Sequence, residues 1–207
     1  MNKLVLSVIL FLGFTSLSEA QVREWSWSAG FGVSKHYFYS VTDYLSGFGD
    51  NIDRGQSAIT TELRLNKDFY GIFGIGLTFN FDYTTLNQSI AGNEQSYGYS
   101  AHIFSLYPYW IIASEKQYHW VAGIQTGKIS YGLSTTGVGA FLPKSISGNG
   151  WLFGLRSDVD LLTGEITFFQ LSGGLQVKTS ESVKRGNSSF NFKSLDAWVR
   201  MGVIYDI

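Results

Sequence analysis

Three histidines, His36, His102 and His119, are the side chains in this sequence best placed by type for general-base work near neutral pH. A base needs its nucleophile on the same face. In an extended segment side chains alternate, so in His102-Ile103-Phe104-Ser105 the serine falls on the face opposite the histidine. With no cysteine, the chain offers no thiolate nucleophile or metal ligand, and its scattered histidines show no ligand spacing with carboxylates. The stretch Gly71-Ile72-Phe73-Gly74-Ile75-Gly76 is rich in glycine but lies inside an alternating apolar segment and precedes no helix. It therefore eases strand crowding rather than cradling a phosphate. No catalytic residue, cofactor or metal is expected.

What the sequence does concentrate is charge on one side of extended segments. Period-two alternation, the mark of a strand with two unlike faces, recurs eight times. The first run sets Trp25, Trp27, Ala29, Phe31 and Val33 against serines and glycines. The second, about Ser57 to Asn66, sets Ile59, Leu63 and Leu65 against Glu62 and Arg64, and the third, Phe69 to Tyr83, opposes Phe79 and Phe81 to Asn80 and Asp82. In the fourth, Tyr97, Tyr99, Ala101, Ile103, Tyr107 and Tyr109 form the apolar face, which puts His102 and Phe104 on the polar one. The fifth begins with Trp120, Ala122 and Ile124 outward and ends with Ile129, Tyr131 and Leu133, a change of phase that a bulge near Gly127-Lys128 would reconcile. The sixth opposes Trp151, Phe153 and Leu155 to Arg156 and Asp158, and the seventh opposes Phe169, Leu171 and Leu175 to Gln170, Ser172, Gln176 and Lys178. The last opposes Leu195, Val199, Met201 and Tyr205 to Asp196 and Arg200.

Glu62, Arg64, His102, Arg156, Asp158, Asp196 and Arg200 thus form a candidate polar network on one side of the sheet. Apart from Lys128, the central apolar faces carry no cation, and a Lys or Arg facing lipid costs about 2–4 kcal/mol at the bilayer midplane. This sorting, together with 12 tyrosines, 16 phenylalanines and only 2 prolines, predicts an all-β chain. The expected fold is an eight-stranded antiparallel transmembrane β-barrel of the outer-membrane type. Its lumen would be filled by paired charges, since eight strands leave room only for side chains.

Connection lengths point the same way. Long connections at about 37 to 56, 84 to 95, 134 to 150 and 180 to 193 alternate with short ones at 66 to 68, 113 to 117 and 162 to 164, the rhythm of long external loops and short periplasmic turns. Aromatic girdles are expected from Trp25, Tyr107, Tyr109, Trp110, Trp120 and Tyr205 at one rim and Tyr83, Tyr97, Tyr131 and Trp151 at the other. At the start, Lys3, an apolar run from Leu4 to Phe14 and Ser18-Glu19-Ala20 read as a cleaved signal peptide over 1–20, with one domain over 21–207. With 15 basic and 16 acidic residues, the chain has no bias toward nucleic acid.

At the C-terminus, Arg200, Gly202, Tyr205 and Ile207 fall at the spacing polar, x, Gly, x, x, aromatic, x, hydrophobic. This resembles the assembly signal of outer-membrane barrels, although their usual final residue is aromatic. The resemblance implies insertion by the barrel-assembly machinery. The strand count and loop rhythm are similar to the small barrel families that include the OmpA, OmpX and OmpW types. Two enzymes of this size modify lipid A with histidine-based sites. The deacylase motif, His-x-Ser-Asn, is not met by His102 and Ser105, and the palmitoyltransferase type is matched only loosely by His36 with Ser157 and Asp158.

The expectation is therefore a nonenzymatic, monomeric outer-membrane protein that supports the envelope and presents loops. Outer-membrane lipids would be its surroundings, with Lys128, Lys184 and Arg185 as contacts for lipopolysaccharide phosphates. A lipid A-modifying enzyme, a narrow channel and an accessory of a secretion machine remain the alternatives.

Overall fold

The computed structural model describes residues 25–115, 117–136, 145–163, 166–185 and 188–207. The signal-peptide segment 1–20 and the Gln21 start lie outside them. Eight long antiparallel strands close on themselves: β1 (Trp25–Phe38), β2 (Gly55–Phe69), β3 (Phe73–Ile90), β4 (Asn93–Ser114), β5 (Tyr118–Thr136), β6 (Ser145–Leu162), β7 (Thr167–Lys178) and β10 (Ser194–Asp206). Each pairs with its sequence neighbour, and β1 pairs with β10 to close the ring. A short helix α1 (Val41–Ser46) lies between β1 and β2, and a hairpin of β8 (Val183–Arg185) and β9 (Ser188–Phe190) lies between β7 and β10.

The β2–β3, β4–β5 and β6–β7 connections are short and share one end of the barrel with Trp25 and Asp206. At the three-residue β2–β3 turn Tyr70 and Gly71 both take positive φ, of 55° and 65°, the backbone twist that suits a hairpin of right-twisted strands, and the Ile72 amide donates to the Phe69 carbonyl at 3.2 Å. The other end carries α1, the β8–β9 hairpin and the projecting ends of β3, β4, β5 and β6.

Two expectations about connections are corrected. The stretch 84–95 is no long loop: β3 and β4 stay paired to Ile90 and Asn93 and turn at Ala91 (φ 50°) and Gly92 (φ 81°). Nor does β5 bulge at Gly127-Lys128. Its pairing with β4 keeps one register from Thr136 to Val121, and the register shifts instead between Ile111 and Ala113. Without that bulge, odd-numbered β5 residues face inward throughout, so Ile129, Tyr131 and Leu133 are buried inside the barrel.

Strand β4 is the second phase reversal. Tyr97, Tyr99, Ala101, Ile103, Tyr107 and Tyr109 point inward, and His102, Phe104, Leu106 and Trp110 point out. Both faces of this strand are apolar or aromatic, so alternation marks it as a strand without saying which side is which. The girdles change accordingly. Trp25, Trp110, Trp120 and Tyr205 are exposed at the turn end, and Tyr83 and Trp151 are exposed toward the loop end, while Tyr97, Tyr107, Tyr109 and Tyr131 are interior. Tyr205 stacks on Trp27 at 5.4 Å across the β1–β10 seam, and the Ile207 amide donates to the Trp25 carbonyl at 2.9 Å.

The outer surface between the girdles exposes Phe31, Val33, Leu63, Phe79, Leu155, Leu171, Leu175 and Val199. A continuous belt of this kind has no place in water, where apolar patches on monomers stay near a few hundred Å².

Candidate functional site

The interior has two storeys of opposite chemistry. The lower one is a chain of charges running most of the barrel length. Glu62 on β2 accepts from Arg156 on β6, with Nη2 at 2.7 Å, and from Arg200 Nη1 on β10 at 2.9 Å. Arg156 Nε also donates to both Asp158 oxygens at 2.9 and 3.0 Å, and Arg64 Nη1 reaches Asp158 at 2.6 Å. These guanidinium groups lie over aromatic faces: Arg156 over Tyr107 and Trp198 at 5.0 and 5.2 Å, Arg200 over Trp198 at 4.2 Å. All of these side chains are buried.

Above this centre Lys178 bridges two carboxylates, Asp82 at 2.6 Å and Asp196 at 2.7 Å, and His36 Nδ1 lies 2.8 Å from the other Asp196 oxygen. Below it, His119 sits between Asp68 at 3.5 Å and Asp160 at 3.4 Å, Tyr109 donates to Asp68 at 2.5 Å, and Gln170 donates to Asp160 at 2.9 Å. The glycine-rich start of β3 has its reason here. A Cβ at Gly74 would overlap the Tyr109 ring, and one at Gly76 would press on Asn66 Oδ1 and Arg64.

Of the residues expected in the polar network, Glu62, Arg64, Arg156, Asp158 and Arg200 are inside and linked to one another, and Asp196 is inside but bonded to Lys178 and His36 instead. His102 is not: it projects outward beside Phe79 and Phe81, with ring centroids at 6.4 and 4.9 Å. Its misplacement follows from the reversed phase of β4. Lys178, on the polar face of β7, is fully buried in the network. The lower cluster of Asp68, Tyr109, His119 and Asp160 extends the network beyond the expected residues. Continuing the alternation of β2 past Asn66 to Asp68 is the signal that finds it.

His36, Asp82 and Asp196 stand close enough to hold a metal ion, their ligand atoms all within 4.8 Å of one another. The Lys178 ammonium already contacts both carboxylates, so the protein supplies its own cation there. Ser34 Oγ, 2.9 Å from His36 Nε2, completes a line in the order Ser34, His36, Asp196. That order suits acyl transfer, yet Ser34 is paired on both sides, with Trp198 on β10 and Ala58 on β2. Its strand's backbone N–H groups belong to those ladders, leaving an oxyanion little to bind.

The upper storey is apolar. Phe38, Leu86, Tyr99, Ile103, Leu133 and Leu152 from the strands meet Val41 and Leu45 of α1, Phe190 at the end of β9 and Phe192 just after it. Phe192 lies 5.3 Å from Tyr131 and 5.6 Å from Phe190, and Tyr44 stacks on Phe190 at 4.3 Å. Polar ties fix the cap: Gln88 donates to the carbonyls of Leu45 and Asp50, both at 2.9 Å, and the Asn191 amide donates to Ser40 Oγ at 3.2 Å. The first and fourth connections are thereby packed into a platform that closes the barrel mouth. Lys184 is exposed on the hairpin, and the Arg185 side chain lies outside the described residues.

No protein-family model matches the chain, and no curated protein matches it in sequence. Solved structures do. The attachment invasion locus protein Ail of Yersinia pestis, in complex with a heparin analogue, aligns with TM-score 0.52 at 11% identity, covering 88% of this chain and 98% of Ail. A major outer membrane protein from Thermus thermophilus aligns with TM-score 0.51 at 13% identity, covering 86% and 98% of the two chains. The chain is folded as an outer-membrane β-barrel. Neisserial surface protein A, at TM-score 0.50 and 8% identity over 89% of this chain and 97% of its own, has the same fold. In such a barrel the exposed apolar belt faces lipid, the charged storey lies at membrane depth, and the apolar storey stands above it.

Proposed function

We propose that this barrel is an exported, nonenzymatic, non-conducting outer-membrane protein that supports the envelope and presents a rigid loop platform outside the cell. The observation that carries this reading is the doubly closed interior, in which a paired charge network is sealed by an aromatic core. A filled lumen leaves the platform as the surface available to partners, and binding residues gather on loops held by a rigid scaffold. Cleavage of the leader over 1–20, insertion through the C-terminal signal ending Tyr205 and Ile207, and a monomeric state complete the proposal; nothing in the charge balance favours nucleic acid.

Reconstitution into planar bilayers tests the closed lumen. The expected record is flat, and steady single-channel steps would refute it.

A second reading has one specific observation in its favour, the Ser34, His36, Asp196 line. As an acyl-transfer centre it predicts labelling of Ser34 by a fluorophosphonate. With Ser34 only 4% exposed beneath the cap, the expected result is no adduct at that residue. A Ser34 adduct, abolished by His36→Gln, would make the enzyme reading the better one.

A further inference from the structure

One sector of the lipid-facing surface, toward its loop end, combines apolar residues with charged and polar ones. There a groove of about 800 Å³ runs across β4, β5 and β6 to the segment that follows β7. Its residues fall in two rows set by strand register. The lower row holds Phe104, Lys128 and Trp151, successive neighbours across β4, β5 and β6. The upper row holds His102, Ser130 and Asn149 in the same way, and Glu181 follows, its amide donating to the Asn149 carbonyl at 3.0 Å. Phe79, on β3, also lines the groove.

An aromatic row beneath a polar row marks the boundary between hydrocarbon and headgroups. Lys128 stands at that boundary with its ammonium 5.6 Å from the centre of the Trp151 ring. A lysine at this depth lays its stem along apolar surface and delivers its charge to the headgroup layer. Beside it, Phe79, Phe104 and Trp151 form an apolar floor in a groove of ligand-binding size. A cation over such a floor matches an amphiphile with acyl chains and an anionic head. Glu181, across the groove beyond β6, is the acid in the lining and confines an anion to the β4–β5 side.

We propose that this groove binds a phosphorylated, acylated glycolipid of the outer leaflet, the lipid A part of lipopolysaccharide, with phosphate on Lys128 and an acyl chain along Phe79, Phe104 and Trp151. Lys128 accounts for the phosphate through a charge-assisted contact, and His102 and Ser130 supply polar neighbours to the sugar. The proposal rests on the outer-membrane reading, because only the leaflet on the loop side brings this lipid to the groove.

Native mass spectrometry of the detergent-folded barrel, titrated with bisphosphorylated hexaacyl lipid A, provides the test. Lys128→Gln is expected to weaken the adduct about tenfold and Lys128→Arg to retain it. Glu181→Gln should strengthen it, and dephosphorylated lipid A should bind the native chain as weakly as bisphosphorylated lipid A binds Lys128→Gln. Unchanged binding in Lys128→Gln overturns the proposal, as does equal binding of phosphatidylglycerol, which would reduce Lys128 to a general interfacial anchor. Heat-dependent gel mobility verifies that each variant is folded. Fractionation of cell envelopes separately tests the outer-membrane location, so a failure there is distinguishable from a failure of the lipid site.

Discussion

Glu62→Ala should destabilise the folded barrel by about 3–5 kcal/mol, the usual consequence of removing one partner from a buried ion pair. Glu62 receives Arg156 through two contacts and Arg200 through a third, and it is buried among them. Its loss leaves two guanidinium groups facing each other with Asp158 and Asp82 as the remaining acids nearby. The cost comes from stranded cations rather than from the missing carboxylate as such. Replacing the group jointly, as Glu62→Leu with Arg156→Met, should therefore be milder than Glu62→Ala alone. Urea titration of barrel reconstituted in vesicles, read by the mobility difference between folded and boiled protein, measures both. A double variant less stable than the single one would show that this centre acts as more than paired charge.

Phe192→Ala carries the second large effect. Its ring is fully buried against Tyr131 and Phe190, and truncating a core phenylalanine costs about 3–5 kcal/mol. The expected loss is confined to the upper storey: protease should cut in the β8–β9 hairpin region of the variant while the membrane-spanning strands keep their folded mobility. If Phe192→Ala instead lowered the urea midpoint of the whole barrel as much as Glu62→Ala does, the two storeys would be one cooperative unit.

Sequence patterning reaches the fold and the centre of the network because charge has one tolerable side in a lipid-facing sheet. Glu62 and Arg64, Arg156 and Asp158, and Asp196 and Arg200 each occupy alternate positions opposite aliphatic residues, so their side of the sheet is decided by cost alone. The same logic loses its grip on β4 and the upper half of β5. Tyr99, Ile103, Tyr131 and Leu133 are apolar yet face inward, because beyond the membrane the barrel interior has become a hydrophobic core. A reader of alternation, expecting apolar residues to face lipid everywhere, turns these strands inside out. That is how His102 comes to be assigned to the lumen and a bulge to Gly127-Lys128. The loop at 84–95 fails for a related reason. Its polar residues flank Leu86, which is buried in the upper core with Val41 and Leu45 of α1, so polarity there signals water outside the wall and not the end of the strand.

Strand β4 has 22 residues, about twice the roughly 9–11 that cross the hydrocarbon layer at barrel tilt. One continuous ribbon therefore obeys two opposite solvent rules, polar inside and apolar outside at membrane depth, apolar inside and polar outside beyond it. The hydrophobic effect that consolidates the cap operates only where water surrounds the wall. The two halves of the ribbon are thereby held by different solvents, the charged half by the lipid around it and the far half by water.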